Sequence, residues 1–283
     1  MAKLIDGKKI SAAVKDKVKA EVSALKEKGI ETCLAVIIVG DDPASKIYVA
    51  NKERACEYTG IRSLKFALPA GTTMEELLAL IDKLNADKTV NGILCQLPLP
   101  KGLDEQRVID AISPLKDVDA FHPINVGKIM TGNFDFLPCT PAGIMEMLDY
   151  EGISPEGKSC VVIGRSNIVG KPMSMLLLHK NGTVTICHSR TKNLAEVTKG
   201  ADILVSAVGI ANFVTADMVK KGAVVIDVGM NRDGDGHLCG DVDFAAVEPV
   251  ASAITPVPGG VGPMTISVLM KNTLTAAKKQ NNI

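Results

Sequence analysis

The chain has 283 residues, length for about two domains of ordinary size. Apolar residues make up 46%, which permits a substantial core, and Lys plus Arg equal Asp plus Glu at 32 each. That balance argues against nucleic acid or an anionic membrane as a partner, since both select a basic face.

Residues 33–39, CLAVIIV, form a continuous apolar run and predict a buried strand. Residues 44–59 have helical spacing, with Ala44, Ile47, Tyr48 and Ala55 near one face. A second strand is predicted at 63–68, and Thr72 or Thr73 then caps a helix carrying Leu77, Leu78, Ile81 and Leu84. GILCQLPLP reads as a third strand stopped by its prolines, followed by a polar, turn-rich stretch around SPLKDVDAFHPIN.

The pattern then restarts, with a strand at 159–163, a helix at 169–180, and strands at 183–187, 202–206 and 223–227. NRDGDGHLCGD reads as a surface loop, and a last helix starts near GPMT and runs to about 279, with proline in its first turn. Strands alternating with helices predict an α/β fold with parallel sheets, in two halves divided near residue 140.

The first ten residues, MAKLIDGKKI, lack a long apolar segment of the kind a secretory signal uses. No apolar run reaches the ~18 residues of a membrane span, so a soluble cytoplasmic protein is expected. The seven cysteines are scattered and include no C-x-x-C pair. Together with four histidines they show no zinc spacing, so reduced thiols and no metal are expected.

VVIGRSNIVGKP, residues 161–172, places Gly164 after a strand and Gly170 at the start of a helix. A helix N-terminus offers free N–H groups and a positive dipole end to phosphate. The order strand, turn, helix, strand fits a dinucleotide site, although Arg165 and Ser166 stand where the usual fingerprint has its second glycine. The next strand ends in Cys187, His188, Ser189 and Arg190, with no acid to accept from a ribose 2′-OH. Arg165, Ser189 and Arg190 suit a 2′-phosphate, which favours NADP over NAD. The alternative is that both arginines are simply solvated.

In the first half, Tyr48 and Lys52 stand four residues apart, on one face of the predicted helix. A lysine beside an aromatic and partly buried loses proton affinity and can serve in acid, base or electrostatic catalysis. The bland alternative is a surface lysine next to a core tyrosine. Gln96 follows a strand and is hemmed in by prolines, as a site lining or as a mere strand terminator. Asp117 and Asp119 lie in a loop, where aspartate is ordinarily a turn former.

Taken together, PASKIYVANKERACEYTGI, GILCQLPLP, KDVDAFHPINVGKI, PCTPAGIMEML, VVIGRSNIVGKPM, DVGMNR and ITPVPGGVGPMT span nearly the whole chain. They resemble the bifunctional methylenetetrahydrofolate dehydrogenase/methenyltetrahydrofolate cyclohydrolase family. The resemblance implies two α/β domains with the active site in the cleft between them. Residues 1–139 would form a folate-binding catalytic domain, completed by a returning C-terminal helix at 264–283. Residues 140–263 would form a Rossmann-type NADP-binding domain.

It also implies oxidation of 5,10-methylenetetrahydrofolate by NADP, then hydrolysis of the methenyl product to 10-formyltetrahydrofolate. Lys52 matches the catalytic lysine, Gln96 the glutamine that tunes it, Tyr48 the tyrosine beside the folate, and Asp119 the aspartate that holds the pterin. A carboxylate accepts at once from a ring N–H and an adjacent amine, as it does from arginine. Leu97 and the loop Pro258, Gly259 and Gly260 are implied to touch substrate. Gly164, Arg165, Ser166, Gly170, Ser189, Arg190 and Met230 are implied to touch NADP. A homodimer joined through the cofactor domains is implied as well.

Two departures from the family pattern stand out. Ala120 replaces a glycine commonly found after the pterin aspartate, and Met230 replaces an isoleucine commonly found beside the nicotinamide. Rival readings are a monofunctional NADP dehydrogenase, a catalytically silent folate- or nucleotide-binding protein, and an amino-acid or shikimate-type dehydrogenase. Lys52 and Gln96 speak against the first two, and PGGVGPMT with Asp119 against the third.

Overall fold

The computed structural model describes residues 1–283. Along the chain run β1 (Lys3–Leu4), α1 (Gly7–Glu27), β2 (Cys33–Val39), α2 (Pro43–Thr59), β3 (Arg62–Leu68), α3 (Met74–Ala86), β4 (Gly92–Cys95), α4 (Glu105–Ala111), α5 (Pro123–Thr131) and α6 (Cys139–Tyr150). Then follow β5 (Ser159–Ile163), α7 (Gly170–His179), β6 (Thr183–Cys187), α8 (Leu194–Thr198), β7 (Ile203–Ser206), β8 (Val224–Asp227), β9 (Asn231–Arg232), β10 (Leu238–Cys239), α9 (Phe244–Val247), β11 (Ala253–Ile254) and α10 (Val261–Gln280).

The chain divides into two compact units, one of residues 1–11 with 140–265 and one of residues 12–139 with 266–283. Residues 1–11, assigned from sequence to the N-terminal domain, therefore belong to the other unit. The reason is strand pairing: Lys3 and Leu4 lie parallel to Ala253 and Ile254 and form the sheet's edge.

The unit of residues 12–139 and 266–283 holds a parallel sheet in the order β3-β2-β4. Every residue of the central strand β2 is buried, which is why CLAVIIV is apolar throughout rather than alternating. Leu77, Ile81 and Leu84 of α3 pack on this sheet with Val108 and Ile112. Thr73 is the cap of α3: its hydroxyl accepts from Glu76 N, and the Glu76 carboxylate accepts from Thr73 N. The unit also holds α4, just before the stretch read as turns, and α5, which starts inside it.

The other unit holds six parallel strands in the order β1-β11-β8-β7-β5-β6, around a core that includes Val161, Ile163, Leu204, Val225 and Ile254. The segment read as a surface loop, NRDGDGHLCGD, is instead a short antiparallel hairpin, with Cys239 opposite Asn231. Its Gly and Asp residues make the turn, where Asp233 Oδ1 accepts from Asp235 N and His237 N.

Candidate active site

Helix α2 begins where Asp42 accepts from Ser45 N at 2.7 Å and Pro43 opens the first turn, and it ends at left-handed Gly60. Its buried residues are Ser45, Val49, Lys52, Ala55, Cys56 and Thr59, so Ala55 faces inward as expected. Ala44 and Ile47, expected near the inward face, are exposed. A lysine thus takes an interior position on this helix, with 8% of its surface exposed.

Lys52 Nζ donates to Gln96 Oε1 at 2.7 Å. Gln96 stands one residue past β4, where its N–H donates to Ile37 O at the adjoining strand. Its Nε2 donates to Leu97 O at 2.6 Å. Turning the amide round would set nitrogen against Nζ and oxygen against a carbonyl, so both neighbours fix its orientation. Burial pushes the Lys52 amine below its ordinary pKa, and the Asp119 charge opposes that shift. Tyr48, one turn earlier, is half-buried, and burial raises its hydroxyl pKa.

Asp119 arrives from a segment that runs parallel to β4, with Ile93 paired to Asp117. The two aspartates differ. Asp117 is buried and accepts from His122 N at 2.8 Å, Asn125 Nδ2 at 2.8 Å and Phe121 N at 3.3 Å. Asp119 is half-buried, and Cys139 Sγ lies 3.5 Å from its Oδ1. Burial raises both carboxyl pKa values; Lys52 opposes the rise at Asp119, and the Asn125 hydrogen bond opposes it at Asp117. Cys95, Leu97, Asp117, Asp119 and Phe121 line one small cavity.

Ala120 has φ of +57° and is fully buried. A left-handed conformation costs alanine about 1–2 kcal/mol, and burying its methyl returns about 0.8 kcal/mol. The three donors on Asp117 hold the turn in spite of the residual strain. Asn272 of α10 closes the same corner, with Nδ2 donating to Val118 O at 2.8 Å and Leu137 O at 2.9 Å.

In the other unit, Gly164 ends β5 with φ of +127°, and a Cβ there would sit 2.4 Å from Ala207 O. Gly170 opens α7, where a Cβ would sit 2.2 Å from Gly164 O. Only glycine fits this close turn. Ser166 Oγ accepts from Val169 N at 3.1 Å and Gly170 N at 3.3 Å, while the N–H groups of residues 165–168 are not spent on backbone carbonyls. Arg165, Ser166, Ser189 and Arg190 are all exposed at the carboxyl ends of β5 and β6. No acid follows β6; the residues there are His188, Ser189 and Arg190. Met230 follows β8 and is exposed. Pro258, Gly259 and Gly260 follow β11, and Gly260 packs so tightly that a Cβ would sit 2.5 Å from Pro256 O. The predicted residues therefore form two groups: Tyr48, Lys52, Gln96, Leu97 and Asp119 in one unit, the phosphate turn, Met230 and the Pro258 loop in the other.

The description "Tetrahydrofolate dehydrogenase/cyclohydrolase, catalytic domain" matches residues 5–119, and "Tetrahydrofolate dehydrogenase/cyclohydrolase, NAD(P)-binding domain" matches residues 138–281. The chain belongs to the tetrahydrofolate dehydrogenase/cyclohydrolase family. A relative named bifunctional protein FolD, from Agathobacter rectalis, is 62% identical over 279 residues, covering 99% of this chain and 100% of that one. The crystal structure of the bifunctional enzyme FolD, methylenetetrahydrofolate dehydrogenase/cyclohydrolase, from Campylobacter jejuni has a TM-score of 0.97 at 50% identity, with 100% of both chains covered. The Trypanosoma brucei dehydrogenase-cyclohydrolase, complexed with NADP cofactor and inhibitor, has a TM-score of 0.95 at 38% identity, covering 100% of this chain and 99% of that one.

Within this member of the family, Cys139, Asn272 and the anchoring role of Asp117 were not singled out in the sequence. The signal for Asp117 is the pair of aspartates two residues apart, ahead of His122 and Asn125. No comparable signal marks Asn272, which reaches its partners only through the returning helix.

Proposed function

We propose that this chain oxidises 5,10-methylenetetrahydrofolate with NADP and hydrolyses the methenyl product to 10-formyltetrahydrofolate, with Lys52 handling the proton. The observation that carries the assignment of Lys52 is its buried amine, held 2.7 Å from a neutral amide oxygen rather than a carboxylate. An ion pair would trap the proton. An amide oxygen accepts an N–H from either the ammonium or the neutral amine, so the side chain keeps its position while its charge changes.

The residues around β5 and β6 fit NADP, because the glycine turn has no room for a Cβ and two exposed arginines face a strand end without an acid. When bound, NADP supplies the nicotinamide that takes up the hydride. Arg165, Ser166, Ser189 and Arg190 bind the 2′-phosphate, and the first turn of α7 binds the bridging phosphates. Asp119 accepts from the pterin's ring N–H and amine, Tyr48 packs beside the folate, and Leu97 adds an apolar contact.

Loss of hydride leaves a methenyl cation on the folate. A neutral amine at position 52 tolerates that cation where an ammonium would repel it. Water attacks the methenyl carbon and gives one proton to Lys52 Nζ. Lys52 returns it to N5 as the bond from carbon to N5 breaks, and the hydroxyl proton leaves to solvent. The sum is one water consumed and one proton released.

We also infer a homodimer. Strand β6 is a sheet edge, and Ile186 on it and Leu178 before it are exposed, which suits pairing with a second copy. All seven cysteines are free thiols, as in a reducing cytoplasm, and no helix is long and apolar enough to cross a membrane.

The deciding experiment follows methylenetetrahydrofolate oxidation and methenyl hydrolysis by absorbance, in the parent chain and in Lys52→Met. The parent should carry out both with NADP, and the variant should bind NADP normally but hydrolyse the methenyl substrate more than ~100-fold more slowly. Parent-like hydrolysis by the variant rules out the assignment.

A further inference from the structure

Two buried carboxylates in the unit of residues 1–11 and 140–265 play no part in the chemistry above. Asp241 is completely buried, with 0% of its surface exposed, and Asp227 nearly so. Neither has a cation for a partner. Asp241 Oδ2 accepts from Val208 N at 2.7 Å and Ser206 Oγ at 3.3 Å, and its Oδ1 accepts from Asn231 Nδ2 at 2.9 Å and Ile210 N at 3.1 Å. Asp227 in turn holds the backbone of Asp241: its Oδ1 accepts from Asp241 N and Gly229 N, and its Oδ2 from Val242 N, each at 2.9 Å.

The surrounding sequence makes room for these anions. A Cβ at Gly229 would lie 2.3 Å from Asp241 Oδ1, and one at Gly240 would lie 1.8 Å from Asp227 Oδ2. Gly240 is therefore glycine because the Asp227 carboxylate occupies the space, and Gly229 because the Asp241 carboxylate and backbone nitrogen do; neither has a positive φ.

The segments tied together follow β7 and β8 at their carboxyl ends, where ligands of parallel sheets bind. The first begins at Ala207, whose carbonyl lies against the phosphate turn at Gly164. Each segment ends in a large exposed apolar side chain, Ile210 at 53% and Met230 at 50%. A buried carboxylate is expensive unless fully hydrogen-bonded, and every bond the Asp241 carboxylate accepts orders one of these two segments or the strand before them.

We infer that Asp241 is a positioning residue for the nicotinamide half of the cofactor site, fixing from beneath the two loops that present Ile210 and Met230. The inference rests on the NADP-dehydrogenase reading given above. Asp241 touches neither substrate nor cofactor; it acts through the amides of Val208 and Ile210 and the side chain of Asn231.

The two activities make a clean test, because hydrolysis of the methenyl substrate needs no cofactor. Asp241→Asn keeps the shape but, whichever way its amide turns, sets an NH2 group against a backbone donor, Ile210 N or Val208 N. Asn231→Ala keeps the carboxylate and releases only the Met230 loop. Both variants are assayed as full chains, for oxidation with varied NADP and for hydrolysis without NADP. The expected result is a KM for NADP raised about tenfold or more, with kcat changed less than about threefold and hydrolysis within about twofold of the parent. Parent-like NADP kinetics in both variants overturn the inference. So does a parallel loss of both activities, which would mark Asp241 as a fold residue only. Should Asp241→Asn fail to fold, Asn231→Ala decides alone. A parent chain that does not oxidise the folate with NADP would instead sink the underlying reading.

Discussion

Replacing Gln96 with glutamate puts a carboxylate where an amide oxygen now accepts from Lys52 Nζ at 2.7 Å. In the parent, burial holds the amine below its usual range, and only the Asp119 charge among the carboxylates opposes this. An opposite charge that close raises a lysine pKa by roughly 1–3 units. The sign follows directly: the ammonium is favoured, so at any pH below both values the neutral fraction falls about 10- to 1000-fold. Hydrolysis of the methenyl substrate should fall by that factor at neutral pH. The rising limb of rate against pH should move upward by the same ~1–3 units. Initial rates without NADP, across about pH 6 to 10, give both numbers. NADP affinity, read separately, should not change. If the limb stays in place and only the height drops, Gln96 does not act through the Lys52 proton, and the reasoning fails.

Two further predictions follow from the same structure. On the proposed role of Arg165 at the 2′-phosphate, Arg165→Ala should weaken NADP about 10- to 100-fold, as the loss of one charge-assisted hydrogen bond does, while NAD changes less than about threefold; equal losses for both nucleotides would contradict that role. Burial pushes the Asp227 carboxyl from 3.8 up to about 6, so between those values the folded chain holds a proton the unfolded chain has lost, and stability falls as pH rises through that window. From pH 5 to pH 7 the group should account for about 1 kcal/mol of lost stability, reinforced by the raised Asp117 and Asp119, and a urea midpoint no lower at pH 7 than at pH 5 would refute the shift.

What the sequence made legible depended on how far each residue's partners lie along the chain. Strands β2 and β5 were plain because a buried parallel strand is a continuous apolar run. The spacing of Tyr48 and Lys52 put both on α2, but the inward face differed from the apolar count, because Lys52 itself occupies the buried stripe. Helix α1 went unread although Ile10, Val14, Val18, Val22 and Leu25 recur at helical spacing and all are buried. Strand β1 gains its identity only by pairing with β11, Lys3 opposite Ala253, and two-residue runs carry no period. Gly229 and Gly240 are the sharpest case. Glycine in a loop ordinarily suggests a turn, whereas here the missing Cβ makes space for a carboxylate that only the fold brings near.

Asp117 and Asp119 show how the fold assigns different work to like residues. Both are aspartates of one short segment beside β4, and burial raises both carboxyl groups. Asp117 is fully engaged, taking three N–H groups from the turn and from the start of α5. Asp119 has only the weak S–H of Cys139 nearby and remains partly open. A carboxyl group left so short of donors can accept from a ligand with two adjacent N–H groups; burial raises its pKa and the Lys52 charge opposes that rise. The strain at Ala120 sits between the two for the same reason. The left-handed turn lets Phe121 and His122 fold back onto Asp117, so that the backbone donors converge on one aspartate and leave the other short of them.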